Sequence, residues 1–396
     1  MELLTGRIRD YAWGSRTVIA QLQGRPAPAP GPEAELWLGA HPGAPSQVRR
    51  GGALVGLPEL IDQDPVGWLG EPTATRFDGR LPYLMKVLAA ETPLSLQAHP
   101  DAAQARAGYA AQSKLPSTSA GRNYVDPHHK PELLVALSEF DALCGFRAPQ
   151  FSAEVLAALG VDELEPVVKA LRVGPGGLPE ALERLLRWPG PQRPALVAAA
   201  VAGADRLPTR YAADAALLRR LAGHYPADPG VLVALLLNQV TLAPGEAIWM
   251  PAGNLHAYLR GAGVEIMAAS DNVLRGGLTP KHVDVAELLR VLRFEVLDDP
   301  VVRARPVASG VVTWPVPVAE FALHRVVLDA DVRRVSVSVE GPRVVLCVAG
   351  EVTVDDGVAA VSVRAGQAAV GPAGGTPLAV SGTGTAFVAS VDPSID

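Results

Sequence analysis

The sequence predicts a mainly β fold with an α-helical insertion. Short apolar runs, alternating or β-branched and punctuated by Gly and Pro, fill residues 1–145 and return after about 231. Between about 151 and 225 the texture changes to Ala and Leu at three- and four-residue spacing. A Gly/Pro frame also occurs twice, once in each later β-rich stretch. At 396 residues the chain is too long for one ordinary core, so two or three domains are expected. The division read here is 1–150 with 231–300 as one unit, 151–230 as the insertion, and 301–396 as a C-terminal β unit.

Each element follows from its local pattern. In AELWLGAHPG, an extended segment puts Glu35, Trp37, Gly39 and His41 on one face and Leu36, Leu38 and Ala40 on the other. LPYLMKVLAA and LSLQAHP, separated by ETP, read as two strands joined by a tight turn. The stretch Pro26 to Pro32 is a stiff loop, too short to separate domains. SAEVLAALG, LPEALERLLRW and AADAALLRRLAGHY read as amphipathic helices without an obvious polar constellation. VLVALLLNQVTL, GEAIWMPAG and GVEIMAAS read as strands. A helix is expected in TPKHVDVAELLRVL, with Thr279 as N-cap and Pro280 in its first position. Beyond 300, alternating Val and Gly turns predict a small all-β domain.

Composition removes several classes of function. A net charge of -6 offers no basic face for nucleic acid. No run of about 18 uncharged apolar residues is present, and the N-terminus lacks an apolar signal segment, so no membrane association is expected. Cys144 and Cys347 stand far apart and outside any CxxC spacing, as reduced structural thiols of a cytoplasmic protein do. The chain carries 30 Arg against five Lys, so each lysine draws notice. A compact amine can titrate or meet a single oxygen, whereas a guanidinium stays charged.

The chemistry gathers in a few segments. Gln97 and His99 are two apart in LSLQAHP, so on a strand they share a face with Ser95. Glu132 follows DPHHKP, with His128, His129 and Lys130 beside it, and His256 follows a PAGN turn. Two imidazoles, a carboxylate and an amide oxygen form a mixed nitrogen and oxygen set that suits one zinc ion with a position left for water or substrate. A lone His in a β protein is more often a hydrogen-bonded structural group than a ligand, the default for His41, His224, His282 and His324; the combination carries the metal reading. Lys86 lies between Leu84 and Leu88 on a strand face, where burial would lower its pKa. Glu265 in VEIMAAS would need a buried partner or a function. Arg275 precedes Gly276 and Gly277, which would let backbone approach a ligand while the guanidinium meets a phosphate or oxyanion.

The repeated frame is Gly245-x5-Pro251-x-Gly253-x2-His256, matched by Gly366, Pro372, Gly374 and Pro377. Its spacing resembles the second conserved motif of the cupin β-barrels, whose His binds metal. The resemblance implies two cupin-like β-barrel (jelly-roll) domains, one with a metal site and one metal-free. The longer strings YAWGS (11–15), ELWLGAHPGAPS (35–46), LPYLMKVLAAETPLSLQAHPD (81–101) and DPHHKPELLVAL (126–137) are more specific. With FDALCGFR (140–147) and the run from PGEAIWMPAGNLHAYL to EIMAASDNVLRGGLTPKH (244–282), they resemble the type I phosphomannose isomerases. That resemblance implies zinc on Gln97, His99, Glu132 and His256, and an aldose–ketose isomerisation of a sugar phosphate through an enediol. Arg275 is the expected stabiliser of the enediolate. Lys130, Glu265, Lys86 and His129 remain open as the proton-transferring base, and His41 is a partner for ring opening. Ser95, Lys86 and Lys281 are expected at the phosphate, and Tyr258 and Asp271 in the pocket. Trp13 and Glu35 are expected to pack or to support. A monomer is expected. The competing readings are another metal-dependent cupin enzyme, a dioxygenase or sugar epimerase, and a non-catalytic sugar-phosphate sensor.

Overall fold

The computed structural model describes residues 1–116, 119, 121–392 and 395. Two eleven-stranded sheets, antiparallel in every ladder, carry the β-rich segments. The first runs Val301–Val302, Ala247–Met250, Glu132–Ala136, His256–Ala268, Tyr83–Ala90, Glu35–Gly39, Arg7–Arg9. The second centres on two long strands, Glu340–Asp355 and Leu378–Val391. The strands Glu2–Thr5, Gln47–Arg50 and Ala53–Gly56 extend this second sheet, so the first 56 residues are shared between both. One apolar core spans the two: Leu36, Val87, Leu133 and Ile266 pack in it with Phe321, Leu346 and Phe387.

The strand His256–Ala268 organises the site. Its first residues pair with Gln97–Ala98 and Phe140–Phe146, its last eight with Tyr83–Ala90 and Glu132–Ala136. The change of partner falls at Gly261, where φ is 125° and an added Cβ would lie 2.6 Å from the Glu139 carbonyl oxygen. Only glycine meets both conditions without strain. The register then sets His256 opposite Gln97, and Glu265 opposite Lys86.

The Ala/Leu stretch forms helices as expected, from Pro149–Ala158 to Ala212–His224, around a core of Leu and Val side chains. Both copies of the repeat lead into a strand: Gly245 precedes Ala247–Met250, and Gly366 precedes Ala368–Gly371. Three local expectations are overturned. VLVALLLNQVTL is not one strand: Gly230–Val233 and Ala234–Leu236 are helical, and the strand begins at Leu237. Continuous burial at that start removes the alternation that separates the two periods. The helix after 279 spans Val285–Val291 and is capped by Asp284, which accepts from the Glu287 amide; Thr279 and Pro280 lie in the preceding loop. Tyr83–Ala90 and Gln97–Ala98 form no hairpin, because each pairs with His256–Ala268 instead. Among the described residues no helix is long and apolar enough to cross a membrane.

Candidate metal centre and cleft

His99, Glu132 and His256 are buried, and one ligand atom from each lies within 4.8 Å of the others. Glu132 Oε2 stands 3.4 Å from His99 Nε2 and 3.2 Å from His256 Nε2. Each imidazole donates its Nδ1–H to a backbone carbonyl, His99 to Asn272 at 2.7 Å and His256 to Asn254 at 3.1 Å. That contact places the Nε2 lone pairs inward, the tautomer a metal ligand needs. His99 Nε2 is buried without a hydrogen-bond partner, an arrangement that costs free energy unless something occupies its lone pair. Burial pushes the His99 imidazole down to about 4, so it stays neutral. Burial would raise the Glu132 carboxyl, but Lys130, 3.0 Å away, and the two imidazoles hold it well below the usual range. Gln97 donates its amide nitrogen to Ser95 Oγ at 3.4 Å, leaving its carbonyl oxygen available. The four residues therefore fit a zinc ion in donor type, protonation state and support.

Beneath them runs a chain of buried charges. Trp37 Nε1 donates to Glu35 at 2.7 Å, Lys86 Nζ lies 3.5 Å from Glu35 and 2.8 Å from Glu265, and Tyr258 donates to Glu265 at 2.7 Å. Burial does push the Lys86 amine down, yet Glu265, Glu35 and Glu132 outweigh it and hold the amine above the ordinary lysine range. The expected lowering is thus overturned: sequence showed the apolar neighbours on its strand and not the carboxylates facing it. The Tyr258 phenol is raised by burial and by Glu265, so it serves as a neutral donor. Replacing Lys86 with Met would leave two buried carboxylates unpaired. A loss of about 3–5 kcal/mol of stability is expected, read as a lower urea midpoint.

Above this floor opens a cleft of about 510 Å³, lined by Trp13, Ser95, Lys130, Asp271, Arg275 and Lys281 among others. It shares Glu35, Lys86, Gln97 and Lys130 with a chamber of about 50 Å³ that Glu132, His256 and Tyr258 also line. Arg275 and Lys281 have no acidic partner among the described residues. Arg275, then burial, lowers the Lys281 amine, and burial lowers Arg275. His41 lines a neighbouring cavity of about 320 Å³ and contacts Asp271 at 3.4 Å across the wall between the two. His129 is turned away, its Nε2 2.6 Å from Glu320 in the C-terminal segment. The glycines after Arg275 serve packing: Gly276 faces Leu255, Leu288 and Leu96, and Gly277 faces Gly230.

Three contributors were given no role in the sequence reading. Asn272 holds His99 through its backbone carbonyl, which has no residue signature. Its side chain bonds the carbonyls of Asp126 and His128, fixing the segment that leads to Glu132. Tyr225 lines the cleft from the helical stretch, and Tyr11 from the N-terminal turn. Both come from elements whose neighbours only the fold reveals.

Comparison with known proteins agrees with this geometry. The family model for the catalytic domain of type I phosphomannose isomerase matches residues 1–149. The mannose-6-phosphate isomerase of Escherichia coli (strain K12) is 38% identical over 361 residues, 89% of this chain and 90% of that protein. That of Rattus norvegicus is 32% identical over 389 residues, covering 87% and 86%. A single-site variant of phosphomannose isomerase from Salmonella typhimurium matches with a TM-score of 0.88 at 33% identity, covering 99% of both chains. A mannose 6-phosphate isomerase bound with zinc and yttrium matches at 0.85 and 33%, again over 99% of each.

Proposed function

This chain belongs to the mannose-6-phosphate isomerase family, and from that premise we propose that it interconverts mannose 6-phosphate and fructose 6-phosphate with one zinc ion held by Gln97, His99, Glu132 and His256. The observation that carries the reading is His99 Nε2, buried and unpartnered beside Glu132. Every proposed ligand falls within 1–150 or 231–300, which supports assigning the metal to those stretches, 151–230 to a helical insertion and 301–396 to a metal-free β unit. A monomer acting on a small sugar phosphate is consistent with a site built by one chain. The buried free thiols of Cys144 and Cys347 suit a cytoplasmic setting.

The reaction moves a proton between C2 and C1 as the carbonyl changes place, through an enediol. A bound zinc ion supplies Lewis acidity that polarises the sugar oxygens. The protein must bind the phosphate, move the proton and stabilise negative charge on oxygen. Two cations without carboxylate partners among the described residues, Arg275 and Lys281, face the cleft and suit an anionic substrate, with Ser95 as a hydroxyl donor. Arg275 offers fixed donors to the enediolate. Lys86 and Glu265 neutralise each other, and His129 is engaged by Glu320. Lys130, paired with Glu132 at 3.0 Å, lines both cleft and chamber and is the group we assign to the proton transfer. Asp271, ionised beside His41, stands at the cleft wall for ring opening.

A coupled assay on mannose 6-phosphate is the direct test. Activity should vanish with a chelator and return with added zinc. Activity indifferent to chelation, or oxygen uptake by an iron-loaded protein, would overturn the reading.

A further inference from the structure

The helical stretch reaches the site at one place. Just past the helix Ala212–His224, Tyr225 lines the cleft and donates its hydroxyl to the Pro93 carbonyl at 2.9 Å. Pro93 lies in the linker that carries Ser95 and Gln97. Three residues further on, the Asp228 carboxylate accepts two backbone amides, Gly230 at 2.7 Å on Oδ1 and Thr279 at 2.9 Å on Oδ2. Asp228 is half-buried and is not among the residues lining the cleft.

The Thr279 bond reaches into the turn between Arg275 and Lys281. That turn is conformationally demanding: Gly277 has φ 117°, and Leu278, a branched residue, has φ 55°. A non-glycine residue keeps such a backbone only where its surroundings over-determine it. Here they do. Gly276 N–H donates to the Leu96 carbonyl at 2.8 Å and Leu96 N–H to the Gly277 carbonyl at 3.0 Å. On the other side a Cβ on Gly230 would meet Leu278 N at 2.6 Å, and one on Gly277 would meet Gly230 Cα at 2.7 Å. Asp228 holds this close backbone approach from one side and the Thr279 amide from the other. The need for such a hold is electrostatic. Arg275 and Lys281 repel each other, neither has an ion-pair partner among the described residues, and a mobile turn would let them separate.

We propose that Asp228 is a positioning residue: by fixing the backbone of the 276–279 turn it keeps Arg275 and Lys281 together in the cleft, ready for the phosphate-bearing substrate. This rests on the isomerase reading above. It gives the helical insertion a role in the site.

The test compares Asp228→Ala and Asp228→Asn with the wild type, all zinc-loaded and full length. Amide exchange at Thr279 should accelerate in the Ala variant. KM for mannose 6-phosphate should rise about tenfold or more at unchanged zinc content, with the Asn variant, which keeps one accepting oxygen, in between. In a Lys281→Ala background the Asp228→Ala effect on KM should shrink, since one of the two cations it keeps together is already gone. An unchanged KM despite faster Thr279 exchange would overturn the proposal. So would a fall in zinc content and thermal transition with KM preserved, which marks a purely structural role. A wild type inert on mannose 6-phosphate would defeat the isomerase reading alone; weaker binding of inorganic phosphate by the Ala variant would then support the positioning role, and equal binding would overturn it.

Discussion

Replacing His256 with Ala is expected to empty the metal site and abolish isomerisation while leaving the protein folded. The substitution removes one of two inward-facing imidazoles and leaves Glu132 with its Lys130 partner, so no buried charge is orphaned. The imidazole's Nδ1 contact with the Asn254 carbonyl is a single bond near a turn, and its loss is modest beside the buried strand that follows. Altering a group that merely orients a zinc ligand commonly costs about 10–100-fold in affinity or activity. Loss of the ligand itself should exceed the upper end of that range. Zinc per chain by atomic absorption, circular dichroism and the coupled assay together decide the matter. Full activity in a variant without bound metal would refute the zinc assignment. Glu132→Ala should be equally inactive but less stable, because it strands the Lys130 ammonium in a buried place.

The proposed ligands are legible in the sequence because each belongs to a short local pattern. Gln97 and His99 are spaced for one strand face, and His256 closes a Gly/Pro frame whose second copy also precedes a strand. The charged floor was only half legible. Glu265 announced itself as a carboxylate in an apolar strand, but its register opposite Lys86 is a long-range fact. With the pairing unknown, the apolar flanks of Lys86 suggested a depressed amine, the opposite of what three facing carboxylates produce. The contact of His129 with Glu320 is hidden for a similar reason, since the two lie 191 residues apart. The helix boundaries that went astray, at 230–236 and 279–285, are places where side-chain type competes with context. Val and Leu buried on every side carry no period. At 279 the Thr-Pro pair imitates a cap, while its amide is taken up by Asp228.

Arg275→Ala should lower turnover about 10²–10³-fold without loss of zinc, the size seen when a preorganised donor to a developing oxyanion is removed. Arg275 touches none of the proposed ligands by an ion pair, so the metal count should stay at one. The kinetic split identifies what the guanidinium does. If it stabilises charge only as the enediolate forms, kcat and kcat/KM fall together and KM hardly moves. If it mainly grips the phosphate, KM rises and kcat survives, and the enediolate role passes to another group. Arg275→Lys sharpens the distinction, because it keeps a charge but loses the planar fork of donors. A Lys variant as impaired as Ala points to donor geometry; one close to wild type points to charge alone. Lys281 offers an independent check, since Arg275 is the largest influence holding its amine down. Removing that influence should let the Lys281 amine rise toward its ordinary value. A Lys281 titration unmoved in Arg275→Ala would mean that the two cations do not share the cleft as described.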